Sequence, residues 1–173
     1  MKKFVAATGL VVLMLGTAGC FGSKDPGTVA ASCSFTYQLD GAPELLGSAA
    51  SFKDSAADAL AAGQSTSLAT IAATAGWQGA WDRMVIVKKG MPADYLSRVA
   101  QTPDLCWSGI PDIDDRWASG GYYVFMRGAE PVQSVKWVSP TEAYFGYTGE
   151  PVVGADVVLQ SDSSGGVRMD PQQ

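Results

Sequence analysis

Apolar residues recur along much of the chain with the period-two spacing of β-strands. In residues 33–39 every second side chain is apolar, which predicts a half-buried strand. Residues 84–87 are continuously apolar, as is typical of a strand covered on both faces of its sheet. Residues 122–127 and 132–138 are two further strand candidates, and the Gly-Ala-Glu-Pro stretch between them favours a hairpin.

Apolar spacings of three and four residues predict helices in three other places, residues 44–62, 68–75 and 92–101. The first of these has Leu45 and Phe52 on its apolar stripe. Helices and antiparallel strands occupy separate blocks of the chain. We therefore predict a single α+β domain, with an antiparallel sheet of four to five strands and two to three helices packed on it.

Before this domain lies a short apolar run with a basic start. Lys2 and Lys3 precede twelve largely apolar residues, 4–15, and small residues follow. A membrane span needs about 20 apolar residues, so this run is too short to cross a bilayer. The order of basic, apolar and small residues indicates an export signal over residues 1–19.

The export signal ends in the stretch Thr17-Ala18-Gly19-Cys20, which resembles the lipobox of bacterial lipoproteins, although Thr17 stands where that family usually has Leu. The resemblance implies cleavage before Cys20 and a diacylglyceryl group on its sulfur. It also implies localisation to the outer face of the cell membrane, with the membrane as partner through this covalent lipid. Two acyl chains hold a protein stably at a bilayer. The alternative is an ordinary secreted protein whose Cys20 is a core or disulfide residue.

The rest of the chain divides by composition. Residues 20–32 are small, polar and contain Pro and Gly, so we expect a lipidated N-terminus and flexible tether. Residues 33–160 form the predicted α+β domain. Residues 161–173 are a polar C-terminal tail that we expect to fray.

The number of cysteines indicates whether a disulfide is expected. If Cys20 carries lipid, Cys33 and Cys106 remain, and an even remainder in an oxidising compartment predicts one disulfide. Two free buried thiols are the alternative. Because the chain has no histidine, two separated cysteines cannot make a zinc site, and we predict neither a metal nor a cofactor.

Charge and histidine content exclude several functions. The net charge is −5, and removal of Lys2 and Lys3 lowers the cations from 12 to 10 against 17 acidic residues, giving −7. Such a domain is repelled by nucleic acid, so no nucleic-acid partner is expected. The absence of histidine from the sequence excludes Ser-His-Asp and Cys-His catalytic sites.

A second resemblance covers residues 77–138. Trp81-Asp82-Arg83 leads into an apolar strand, and a helix, a Trp-containing loop and the hairpin YYVFMRGAEPVQSVKW follow. This order resembles small uncharacterised exported proteins of bacteria that carry a W-D-[KR]-aliphatic strand. The resemblance implies a compact α+β domain on or outside the membrane and brings no known activity.

Candidate chemistry is sparse. Asp112 and Asp114 belong to the densest carboxylate cluster, and paired carboxylates suggest a cell-envelope hydrolase as one alternative. The same residues after Pro111 are also typical of a turn.

Aromatic residues suggest binding instead. Tyr144, Phe145 and Tyr147 lie in an irregular stretch and are candidates for an exposed aromatic patch. The sequence thus favours a binding or interaction module over an enzyme, with a protein or an envelope glycan as possible partner and the ligand unknown. A third alternative is an inhibitor or chaperone-like module of the envelope that acts through its sheet surface.

Overall fold

The computed structural model describes residues 33–63, 65–114, 120–138, 141–142, 145, 151–161 and 167–169, with only the backbone for residues 161 and 167–169. By its contacts the chain divides into residues 1–30 and 31–173, and every described residue belongs to the second unit. The elements in chain order are β1 Phe35–Gln38, α1 Ala49–Ala61, β2 Thr66–Ser67, α2 Leu68–Thr74, β3 Arg83–Lys88, α3 Ala93–Ala100, β4 Leu105–Ser108, β5 Gly120–Arg127, β6 Glu130–Val138, β7 Val152–Gly154, β8 Val158–Ser161 and β9 Val167–Met169.

A four-stranded antiparallel sheet in the order β6-β5-β3-β7 forms the centre of the domain. Successive side chains of β3 point to opposite faces of this sheet. Met84 and Ile86 pack into the core below α1 and α2, whereas Val85 and Val87 pack into a second core with α3, β1 and β4. The predicted α+β class is confirmed, and so is the prediction that residues 84–87 are covered on both faces.

The first core is built around aromatic rings. Phe52 of α1 stacks on Trp77 with ring centroids 4.7 Å apart, and it meets Phe125 of β5 edge to face at 5.1 Å. Phe145 lies within the same cluster and is fully buried. Aromatic pairs in these geometries contribute beyond the area that they bury, so this cluster joins α1 to the sheet.

Helix α1 begins five residues later than the apolar spacing predicts. Ser48 is its N-cap, and the Ser48 Oγ accepts a hydrogen bond from the Ser51 backbone N–H at 3.2 Å. Capping by a serine satisfies a backbone donor that has no partner inside the helix. Residues 45–47 consequently lie before the helix, in a bend.

The second core is covered by a small parallel pair, β1 and β4, in which Phe35 is opposite Leu105 and Tyr37 opposite Trp107. The disulfide between Cys33 and Cys106 joins this pair, with Cα atoms 5.5 Å apart, and confirms the predicted bond. The Trp-containing loop expected after the third helix is partly a strand, because residues 106–108 belong to β4. Its first tryptophan, Trp107, is buried. Trp117 lies outside the described residues.

Two details of the C-terminal half differ from the sequence prediction. The hairpin turn consists of Gly128 and Ala129, and Pro131 belongs to β6, where the register shifts. The prediction of a fraying tail is wrong for residues 161 and 167–169, since β9 pairs antiparallel with β8, which in turn pairs with β2. Backbone pairing of this kind does not require apolar side chains. Among the described residues, no helix is both long and apolar enough to cross a bilayer.

Candidate binding groove

An open cavity of about 570 Å³ lies between β1, residues 41–43, Leu45, Leu105, the turn residue Ala129 and residues 130–132 of β6. We call this cavity the β1 groove. All four residues of β1 line it, whereas Leu105 is the one β4 residue that does. The groove therefore extends along the whole of β1 and reaches β4 at Leu105.

The β1 groove is apolar and open to solvent. Phe35 and Leu45, two of its lining residues, are 61% and 68% exposed. Pro43 and Pro131 add further apolar surface to its walls. Exposed apolar side chains are common singly, but two large ones on one concave surface are typical of a binding site.

The position of Leu45 is fixed by a buried side chain from the sheet. Gln133 of β6 is fully buried; its Oε1 accepts a hydrogen bond from the Leu46 backbone N–H at 2.8 Å, and its Nε2 donates to the Gly47 carbonyl at 2.9 Å. The two bonds hold the bend before α1. Leu46 is thereby turned into the core while Leu45 is left at the surface.

Gly47 is required for the same bend. Its φ is +147°, and a Cβ built on it would lie 2.6 Å from Trp77 Cδ1. A side chain at this position would push against a buried ring, so only glycine allows the bend to approach Trp77 so closely.

The groove has little charge. Among the described residues Glu130 is the one charged residue that lines it, and Glu130 forms an ion pair with Arg127 at 2.7 Å. The neighbouring Glu44 lines a different, smaller cavity together with Lys136. None of the described residues that line the groove is lysine or arginine.

The predicted aromatic patch is wrong at Phe145. This ring is fully buried and meets the Tyr123 ring edge to face at a centroid distance of 5.2 Å. Packing against the other aromatic rings of the first core is more favourable for this ring than exposure to water. Tyr144 and Tyr147 lie outside the described residues.

The two carboxylates proposed for hydrolysis lie on an exposed turn. Asp112 Oδ1 accepts a hydrogen bond from the Asp114 backbone N–H at 3.0 Å, which is the local bond by which aspartate stabilises a turn. No lining residue of the cavities described in this subsection comes from this turn. In the described part of the chain, no group of three or more Cys, Asp or Glu side chains is placed to hold a metal ion.

Two smaller, more polar cavities flank the domain. One, of about 450 Å³, is bordered by Trp81, Asp82 and Asp156. The other, of about 330 Å³, is bordered by Tyr122 and Lys136 among others. Burial raises the pKa of the Tyr122 hydroxyl, although the nearby Lys136 ammonium acts in the opposite direction.

Sequence reasoning missed the groove because it placed Leu45 on the buried stripe of the first helix. Ser48 is the signal that could have corrected this, since a serine N-cap excludes Leu45 from the helix. Phe35 was expected on the buried face of its strand together with Tyr37. Only Tyr37 reaches the second core.

The residues Trp81-Asp82-Arg83 make contacts that stabilise the fold. The Trp81 ring meets Phe125 edge to face at 5.0 Å, and Arg83 forms an ion pair with Asp82 at the start of β3.

Cys20 lies outside the described residues, so the lipobox resemblance stays a prediction, as does the resemblance over residues 77–138. No family model matches the chain, and neither does any curated protein or solved structure.

Proposed function

We propose that this chain is a lipid-anchored extracytoplasmic binding protein that takes its ligand in the β1 groove. The observation that carries the proposal is the exposure of Phe35 and Leu45 on one concave apolar surface. Covering the exposed part of such a side chain gains at most about 1.5–3 kcal/mol. A ligand that covers both residues recovers this free energy.

The framework of the groove supports the same proposal. Gln133 holds one wall through the residues that follow Leu45, and the Cys33–Cys106 disulfide holds the other wall, β1, to β4. A site whose walls are fixed before binding loses little conformational entropy when the ligand arrives. The disulfide also supports an oxidising compartment, as expected outside the cytoplasm.

The anchor is the second part of the proposal and rests on the Thr17-to-Cys20 stretch. We expect the wild-type chain in the membrane fraction. Cys20→Ala should release the protein from membranes or leave its signal uncut. Unchanged membrane association of Cys20→Ala, with cleavage elsewhere, would overturn the anchor.

The groove is tested by photo-crosslinking in intact cells. A photoreactive amino acid is placed at position 45 of the full chain, and the matched control carries it at position 113, where Ile113 is exposed to the same degree as Leu45. We expect a light-dependent adduct from position 45 and not from position 113. Equal labelling from both positions, or none from either, would contradict a ligand in the groove.

The alternatives gain less support. A carboxylate hydrolase requires a cleft that holds two facing acids, and Asp112 and Asp114 lie instead on an exposed turn. An inhibitor or chaperone-like module would act through its sheet surface on a protein partner, so a ligand crosslinked from position 45 would not support it.

A further inference from the structure

We propose that the domain has a second binding site, which takes a neutral sugar in the cavity of about 450 Å³ bordered by Trp81 and Asp156. We call it the Trp81 cavity. Among the described residues its lining shares none with the β1 groove, so the proposal does not depend on the function proposed above. Three features carry it: an aromatic ring at the edge of the first core, a carboxylate without an ion pair, and a wall of alanines.

Trp81 has an aromatic surface that the core covers only in part. Its ring packs against the first core and meets Phe125 edge to face at 5.0 Å, yet the residue is half-buried at the border of the cavity. Its indole N–H has no hydrogen-bond partner among the described residues, whereas that of Trp77 donates to the Ser48 carbonyl at 2.9 Å. Trp81 can therefore offer a ligand both an apolar ring and a hydrogen-bond donor.

Asp156 supplies an acceptor at the same cavity. The residue is exposed, and in the described part of the chain its carboxylate has neither an ion pair nor a hydrogen bond. The other carboxylate at the border, Asp82, is already engaged, since it pairs with Arg83 and accepts from the Gly128 backbone N–H. Asp156 is thus the more available acceptor for the hydroxyl groups of a ligand.

Backbone hydrogen bonds hold Trp81 and Asp156 at this one cavity. The Ala155 N–H donates to the Asp82 carbonyl, and the Ala155 carbonyl accepts from the Ala69 N–H, both at 2.9 Å. Because Ala155 precedes Asp156 and Asp82 follows Trp81, these bonds fix both positions relative to each other and to the start of α2. Walls that are in place before the ligand arrives lower the entropic cost of binding.

Alanines leave the room that a sugar ring needs. Ala69, Ala72 and Ala73 of α2 line the cavity, and their spacing of three and four residues places them on one face of the helix. Sites for small ligands usually have volumes of about 300–1,000 Å³. The Trp81 cavity falls within this range.

This combination favours a sugar over other small ligands. The flat faces of a pyranose ring carry C–H groups that pack on an aromatic ring, and its hydroxyl groups both donate to a carboxylate and accept from an N–H. No described lining residue is lysine or arginine, so an anionic ligand would meet Asp156 without a counter-charge. An organic cation could use the ring face and Asp156, but it has no acceptor for the Trp81 N–H.

Two-dimensional NMR of the full mature chain gives a site-specific test. The sequence has five tryptophans, and the indole N–H signal that is lost in Trp81→Phe belongs to Trp81. We expect this signal to shift with cellobiose or maltose at about 10 mM, enough to saturate a site with a Kd of about 1 mM. The acidic analogue of the disaccharide that binds, with a carboxylate in place of one hydroxymethyl group, should bind at least about fivefold more weakly at low salt.

Variants locate the binding. Ala73→Phe places a ring in the cavity from an exposed position of α2 and should abolish the shift, whereas Ala61→Phe, at an exposed position of α1 outside the cavity, should not. Asp156→Ala should weaken sugar binding about fivefold through loss of the acceptor. Asp54→Ala, which removes an exposed carboxylate outside the cavity, should leave the affinity unchanged. Thermal unfolding of each variant checks that the fold is kept.

Each outcome decides for or against the sugar site. A shift that Ala73→Phe abolishes and Ala61→Phe keeps supports it. If choline shifts the Trp81 signal and neither disaccharide does, the cavity binds an organic cation and the proposal is lost. Equal sugar binding by Ala73→Phe and the wild type, or no shift with any probe, overturns it as well. Crosslinking from position 45 is unaffected by all of these results, so the β1 groove is decided separately.

Discussion

Gln133 and Leu46 are joined by a buried hydrogen bond across 87 residues of sequence: the Gln133 Oε1 accepts from the Leu46 backbone N–H at 2.8 Å. The same side chain donates to the Gly47 carbonyl. One amide on the sheet thus satisfies a donor and an acceptor of the bend. This bend separates the exposed Leu45 from the buried Leu46.

Gln133→Leu should destabilise the domain by about 2–4 kcal/mol, because each buried polar group left without a partner costs about 1–3 kcal/mol. Urea unfolding measures the loss. Gln78→Leu, at an exposed position, is the matched control and should change stability little. The same Gln133 substitution should weaken ligand binding in the groove, since it releases Leu45. Equal stability of both variants would show that the bend is held by other contacts.

Arg83→Lys should destabilise the domain by about 1–3 kcal/mol. The Arg83 Nη2 donates to the carbonyls of Ala100 and Gly128, both at 2.7 Å, and so ties the end of α3 to the β5–β6 turn. A lysine has one nitrogen, whereas the planar guanidinium contacts both carbonyls through Nη2 and pairs with Asp82 through Nη1. Thermal unfolding measures the change.

The control for this prediction is Arg98→Lys. Arg98 is on α3, the helix whose end Arg83 contacts. Its side chain is 71% exposed and pairs with the exposed Asp94, and an exposed pair of this kind contributes little to stability. If Arg98→Lys costs as much as Arg83→Lys, the positioning role of Arg83 is refuted.

Loss of the disulfide should lower the free energy of unfolding by about 4 kcal/mol. Cys33 and Cys106 are 73 positions apart, and closing a loop of this length restricts the unfolded chain by that amount in the entropic model. The double variant Cys33→Ser/Cys106→Ser shows the effect in urea unfolding. Its control is a reducing agent, which should destabilise the wild type and leave the double variant unchanged. A reductant effect on both proteins would point to another cause.

Stability should fall as the pH rises above about 10. Burial raises the pKa of Tyr37, and also that of Tyr122, above the ordinary tyrosine value of 10.0. Above this pH the unfolded chain loses these protons while the folded chain retains them, so the unfolded state becomes relatively more favourable. The double variant Tyr37→Phe/Tyr122→Phe should show a shallower fall in urea midpoint between pH 9 and pH 11. Identical slopes for variant and wild type would contradict this assignment.

The sequence predicts the elements whose signal is local. The apolar run in residues 84–87 is enough to place β3 in the middle of a sheet, and the stretch between residues 127 and 132 is enough to indicate the hairpin. Strand β4 carries no comparable signal. It has four residues, and it becomes a strand because β1, about 70 residues earlier, pairs with it in parallel.

The groove could not be predicted for a related reason. Phe35 and Leu45 have the same apolar character as the neighbouring Tyr37 and Leu46, which are buried. The exposed and the buried residues differ in whether other elements pack against them. For Leu45 and Leu46 this depends on the Gln133 hydrogen bond, and for Phe35 and Tyr37 it depends on where the β1–β4 pair ends. Spacing along the chain does not encode either contact locally.

The Cys33–Cys106 bond determines how a mechanical load would enter the domain. Any pull along the residues before Cys33 reaches a covalent link to β4 before it reaches Phe35, the first residue of β1. The hydrogen bonds between β1 and β4 are therefore shielded from being peeled apart at that end. In the function that we propose, a pull on the N-terminal tether would therefore not strip β1 from β4 at that end.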